Sequence, residues 1–133
     1  MANLLALDVG TKRIGVAAAD SSLPIAIALT TIDVDGHEID AITKMINDRV
    51  VDTVIIGYPR NQSGEPTEQT AVSEAFATKL LTTAKVVFQD ESLTSVMAEQ
   101  RLKASGKPYQ KADIDAMAAA IILQDYLEAH HAA

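Results

Sequence analysis

The chain of 133 residues contains no cysteine. Disulfides, thiolate metal sites and cysteine nucleophiles are excluded together. No apolar run approaches the roughly twenty residues that cross a bilayer, and no charged-then-apolar leader opens the sequence. A soluble, cytoplasmic protein with no membrane partner is the expectation. Basic residues are scarce: 11 Lys and Arg against 18 Asp and Glu leave a net charge of −7. That balance argues against a general nucleic-acid coat protein, which needs a basic surface. It does not exclude an enzyme acting on nucleic acid, because a divalent ion held by carboxylates offsets their charge locally. Histidine is sparse too, with His37 at a helix start and His130 and His131 at the tail, so no serine–histidine–acid set suggests itself.

What is present suits one packed domain spanning residues 1–133: 48% of residues are hydrophobic and 22% charged. Leu4 to Leu7 is a short apolar run ending in Asp8-Val9-Gly10, followed by apolar runs from Ile14 to Ala19 and from Ile25 to Ile32. Short turns at Gly10 to Arg13 and Asp20 to Pro24 make these three an antiparallel meander. Ile39, Ile42, Met45, Ile46 and Val50 recur at helical spacing. Val54 to Gly57 predicts a central strand, apolar on both faces. Tyr58 to Pro66 reads as a loop, a second helix carries Val72 to Leu80, and Lys85 to Gln89 is a fifth strand. Helices over about Thr94 to Ala104 and Ile114 to Ala129 close the chain. The order βββαβαβαα, with a mixed five-stranded sheet, is that of the RNase H-like α/β fold, and its crossovers should be parallel.

Three places carry carboxylates that this pattern does not absorb. Asp8 ends an apolar strand, where an unpartnered charge is costly to bury. A turn aspartate accepting the Gly10 or Thr11 amide is the bland alternative. In the last helix, Asp115 shares a stripe with Ala118, Ala119, Ile122 and Tyr126 at 3.6 residues per turn, and so points inward. The opposite side carries Gln124, Asp125 and Glu128, and Asp113 reads as the N-cap. Asp90-Glu91 follows the fifth strand, at the strand ends where α/β sheets build sites, but alternation alone does not say which of the two faces Asp8. Carboxylate oxygens suit hard divalent ions, Mg²⁺ or Mn²⁺. Lys12, Arg13 and Arg60 are candidate contacts to phosphate oxygens, or plain surface charge. Asn61 shapes the loop after the fourth strand. Thr94 and Ser95 either cap the third helix or present hydroxyls and amides to a phosphate.

The blocks Leu5 to Ala17 (with Asp8-Val9-Gly10-Thr11-Lys12-Arg13-Ile14-Gly15), Gly57-Tyr58-Pro59 with Asn61 and Gly64, Asp90-Glu91-Ser92-Leu93-Thr94-Ser95, and Ile114 to Leu123 resemble, in order, the signatures of the YqgF family. These are relatives of the RuvC Holliday-junction resolvases, usually described as pre-16S rRNA nucleases. The resemblance implies an RNase H-like fold and metal-dependent phosphodiester hydrolysis. It puts Asp8, Glu91 and Asp115 on the family's acidic positions, with Mg²⁺ or Mn²⁺ as cofactor. It further implies maturation of the 5′ end of small-subunit ribosomal RNA in the bacterial cytoplasm, with pre-rRNA or pre-ribosomal particles as partners. Ser92 stands where the family usually has arginine, and Tyr58 where it has leucine.

Three other readings fit parts of the sequence. One is a resolvase of branched DNA, for which a homodimer suits better than a monomer. Another is a non-catalytic nucleic-acid or ribosome-assembly module, favoured by Ser92 and the acidic charge. A third is an actin-like phosphotransferase using Asp8-Val9-Gly10-Thr11, disfavoured because those enzymes bind nucleotide between two domains.

Overall fold

The computed structural model describes residues 3–20, 22–59, 65, 67–80, 82–91 and 94–130, the side chains of Pro24 and Ser95 excepted. Its elements are β1 (Asn3–Val9), β2 (Arg13–Asp20), β3 (Leu23–Asp33), α1 (Glu38–Asp48), β4 (Thr53–Pro59), α2 (Glu68–Lys79), β5 (Lys85–Glu91), α3 (Thr94–Ala104) and α4 (Lys111–His130). The predicted order βββαβαβαα is the observed one. The sheet runs β3-β2-β1-β4-β5, with β1–β2 and β2–β3 antiparallel and β1–β4 and β4–β5 parallel. The ends of β1, β4 and β5 therefore share one edge of the sheet, where the parallel strands of an α/β fold present their loops.

Alternation along each strand divides the core in two. On one face Leu5, Leu7, Ile14, Val16, Val54 and Ile56 pack with Ile42 and Ile46 of α1 and Phe76 of α2. On the other, Leu4, Ala6, Ala17 and Ile55 pack with Ala119, Ile122 and Leu123 of α4. Ala98 of α3 packs on Ala118 and Ile121, from the side of α4 away from the sheet. Thus α4 lies between two layers and is apolar around most of its circumference, as a doubly covered helix must be. Beyond the reach of α1, Leu23, Ile25 and Ile27 of the edge strand stay more than half exposed.

Several boundaries differ from the sequence-based ones. β4 continues through Pro59 and β5 through Glu91, because both pair to that point (Tyr58 with Asp90, Pro59 with Glu91). α4 begins at Lys111, so Asp113 is not its N-cap; it lies in the first turn and accepts the Gln110 amide at 2.8 Å, the reciprocal half of a capping box. α1 ends with Val50 in the left-handed region at φ 51°, the Val51 amide bonding back to the Ile46 carbonyl at 2.9 Å. Glycine usually fills such a position. Here the Asn3 side-chain amide donates to the carbonyls of Arg49 (2.9 Å) and Val50 (3.2 Å), which helps hold the turn.

Candidate functional site

The α4 face of the sheet is built from small residues at its carboxylate end. Asp8 of β1 pairs with Gly15 of β2. A Cβ on Gly15 would lie 1.8 Å from the Asp115 carbonyl oxygen, so only glycine admits the first turns of α4 there. Asp8 and Asp115 are brought together by that close approach. The start of α4 is held further by the Thr31 hydroxyl, which donates to the Ala112 carbonyl at 2.5 Å. On β4, Gly57 faces the same way; a Cβ on it would meet Ile122 Cδ1 at 2.6 Å. Gly57 separates β1 from β5 without a side chain, leaving the floor open between Asp8 and Glu91.

Alternation in β5 puts Asp90 and Glu91 on opposite faces of the sheet. Val86 packs toward α1 and α2, Val87 toward α4. Glu91 shares the face of Val87, and hence of Asp8 and Asp115; Asp90 points to the other side. The three carboxylates line one cleft of about 370 Å³, together with Arg13, Gln69 and Thr94.

Each acid has a distinct environment. Asp8 accepts no hydrogen bond among the described residues, because the Gly10 amide goes instead to the Arg13 carbonyl at 2.9 Å. The turn-aspartate alternative is therefore not what this structure has. Burial, and secondarily the negative charge of Asp115, push the Asp8 carboxyl from 3.8 up to about 6. Asp115 is engaged by the Arg13 Nε, which donates to its Oδ2 at 2.6 Å across a sequence separation of 102 residues. Glu91 Oε2 accepts the Thr94 hydroxyl at 2.8 Å, while Oε1 is shut off from solvent and accepts no hydrogen bond among the described residues. The Asp125 carboxyl lies within hydrogen-bonding reach of Glu91. Burial first, then the contact with Asp125, raise the Glu91 pKa above its ordinary value, with Thr94 opposing.

Asp125 lies on a different side of α4 from the one its helical position predicts. It and Gln124 were expected on the outer surface of α4, yet both are half-buried; Gln124 accepts the Ala26 amide at 3.0 Å. Glu128 is exposed as expected. Gln69 carried no signal in the sequence. Its side-chain amide donates to the Val9 carbonyl, tying the first turn of α2 to the end of β1. Thr94 contacts Glu91 rather than capping α3. Lys12 is exposed and lies outside the cleft lining. Arg60 and Asn61 lie outside the described residues, as does the Ser95 side chain. Of the histidines, His37 and His130 are exposed.

The donor set is all oxygen, which suits Mg²⁺ or Mn²⁺. The buried Glu91 Oε1, which accepts no hydrogen bond among the described residues, and the mutual repulsion of Asp8 and Asp115 are what a cation would relieve. As they stand, the acids ring the cleft rather than converge: among the described residues no group of three is gathered tightly enough to cage an ion. Asp8 is level with Gly57 of β4 and so with Gln89 of β5, and Glu91 lies two residues further along; strands spaced about 4.8 Å and rising about 3.3 Å per residue put the two backbones roughly 12 Å apart. Such spacing leaves room for ions with their waters and a phosphate between the side chains.

Comparison with known proteins agrees with this architecture. A relative from Chloroflexus aurantiacus, named "Putative pre-16S rRNA nuclease", is 46% identical over 132 residues, covering 95% of this chain and 86% of the relative. A Bacillus subtilis protein of the same name is 38% identical over 133 residues, covering 94% of this chain and 96% of that one. The structure of Thermus thermophilus RuvC in complex with a Holliday junction superposes with a TM-score of 0.61 at 15% identity, covering 98% of this chain and 96% of that one. At that identity the likeness speaks to the fold, which is RNase H-like. Among the described residues no helix is long and apolar enough to cross a membrane. The model of the RuvX family, described as Holliday junction resolvase, matches residues 2–129, and the chain belongs to that family.

Proposed function

We propose that this chain is a nuclease that hydrolyses phosphodiester bonds with Mg²⁺ or Mn²⁺, and that its substrate is the 5′ extension of pre-16S ribosomal RNA in the bacterial cytoplasm. The observation that carries the chemistry is the shared cleft of Asp8, Glu91 and Asp115. The substrate is suggested by the names of relatives that match over nearly the whole chain. Asp8, Glu91 and Asp115 are the metal ligands. Divalent ions held by these carboxylates would supply an activated water and stabilisation of the leaving oxygen, in the manner of two-ion phosphodiester hydrolysis.

The remaining roles belong to the protein's own groups. Asp8 must be ionised to act as a ligand, so its raised pKa makes ligation weaken as pH falls toward about 6. Thr94 orients Glu91 through its hydroxyl. Gln69 fixes the carbonyl next to Asp8 and so holds that strand end. Arg13 turns its guanidinium edge to the phosphate, with Lys12, Arg60, Asn61 and Ser95 as contacts along the nucleic-acid backbone.

A second reading, resolution of a four-way DNA junction, is favoured by the description of the matching family. One experiment separates the two. Purified protein is incubated with Mn²⁺ and either a 5′-extended 16S RNA fragment or a DNA four-way junction, beside Asp8→Asn. Cleavage of the RNA, reduced roughly a hundredfold or more in the variant, is the expected result for loss of a metal ligand. Cleavage of the junction alone favours the resolvase. Equal activity of the two proteins removes the mechanism.

A further inference from the structure

Arg13 is the one cation among the described residues that line the cleft, facing three carboxylates there. Its Nε grips Asp115 Oδ2 at 2.6 Å, and both side chains are partly sheltered, at 33% and 21% exposure. A guanidinium carries five N–H donors. The Arg13 side chain makes no other hydrogen bond among the described residues, so its Nη groups are unspent. The same carboxylate that is to ligate a metal is thus already paired to a charge built into the chain. Arg13 is placed firmly for this: it is the first residue of β2, and its carbonyl closes the turn from Gly10.

We propose that Arg13 is the internal counter-ion of the metal site and the link between metal and substrate. In the empty protein it neutralises Asp115 and competes with a divalent ion for that carboxylate. A phosphodiester that takes up the guanidinium draws it away from Asp115 and frees the ligand. Nucleic acid and metal then bind with positive coupling, and by thermodynamic reciprocity each strengthens the other equally. This goes beyond a simple phosphate contact, since such a contact predicts weaker substrate binding in an Arg13 variant and no change in metal affinity. The inference rests on the reading of Asp8, Glu91 and Asp115 as metal ligands.

The test is equilibrium Mn²⁺ binding, followed by calorimetry and by the electron paramagnetic resonance of free Mn²⁺. It is run on the wild type, Arg13→Gln and Arg13→Lys, with and without a nuclease-resistant 2′-O-methyl RNA oligonucleotide. Without oligonucleotide, Arg13→Gln should bind Mn²⁺ roughly tenfold more tightly than the wild type, the scale expected when one partly exposed charge is removed beside a divalent ion. Arg13→Lys, which keeps the competing charge, should stay near the wild type. The oligonucleotide should tighten Mn²⁺ binding to the wild type and do so far less in Arg13→Gln. Equal or weaker Mn²⁺ binding by a folded Arg13→Gln overturns the proposal. If that variant fails to fold, the wild type decides, and no tightening by oligonucleotide overturns it. A wild type that binds no Mn²⁺ at any concentration instead removes the metal reading, and the inference with it.

Discussion

The two faces of the sheet are built on opposite principles. Toward α1 and α2 the strands present Leu5, Leu7, Ile14, Val16 and Ile56, all fully buried large side chains. Toward α4, at the carboxylate end, they present Gly15, Gly57 and Ala17, with Asp8 and Glu91 among them. Each large aliphatic side chain on the first face contributes about 1.5–3 kcal/mol by leaving water. The second face gives up apolar area for proximity. Without side chains in the way, the α4 backbone reaches the sheet itself, and Asp115 arrives beside Asp8. Both faces bury apolar side chains, but at the carboxylate end the α4 face also sets distances between charges.

This contrast can be broken at chosen points. The largest effect is expected for Gly15→Ala, whose methyl would overlap the Asp115 backbone at 1.8 Å. Backbone cannot step aside as a flexible side chain can, so the loss in denaturant unfolding should exceed about 3 kcal/mol, with cleavage lost as well. By comparison Gly57→Ala meets only the tip of Ile122. It should cost about 1–3 kcal/mol. Ile42→Ala, on the α1 side and fully buried, should cost about 2–5 kcal/mol, yet the molecules that remain folded should cleave at the wild-type rate. Loss of rate in folded Ile42→Ala would erase the distinction between the faces.

The pH dependence of stability sharpens the same contrast. Asp8 has a folded-state pKa raised from 3.8 to about 6, so the folded metal-free protein binds its proton more tightly than the unfolded chain. The stability this group contributes is complete below 3.8 and is lost as pH rises through about 6. Asp8→Asn should therefore melt above the metal-free wild type at pH 7, by a few degrees, and the gap should close as the pH is lowered toward 4, near the ordinary value of 3.8. A gap that widens on acidification would contradict the buried, unpaired placement of Asp8. The smallest effect is expected far from the cleft. Val50→Gly, at φ 51° and 71% exposed, should stabilise by about 0.5–1 kcal/mol in thermal unfolding, leaving cleavage unchanged.

How far the sequence reveals this arrangement depends on the periodicity of each segment. Strands with one apolar face and α1 with its regular Ile spacing were readable, and with them the whole element order. The last helix was readable as a helix but not as a surface. Covered by the sheet on one side and α3 on the other, it has no solvent face strong enough to orient a wheel, and Asp125 was misplaced for that reason. The choice between Asp90 and Glu91 needed the knowledge that Val87 packs toward α4. The Arg13–Asp115 pair joins residues 102 apart and left no local trace, so Arg13 read as surface charge or a phosphate contact. Gly15 was visible as a glycine, but what approaches it was not.

The central claim is that Asp8, Glu91 and Asp115 hold divalent metal in one cleft. The most direct measurement is anomalous diffraction from crystals of the protein soaked in Mn²⁺, with Asp8→Asn crystals treated alike. The account predicts anomalous density in the cleft within coordination distance of these carboxylates in the wild type, and lost or weakened density in the variant. A fully loaded crystal with Mn²⁺ elsewhere and none between the three acids would contradict it.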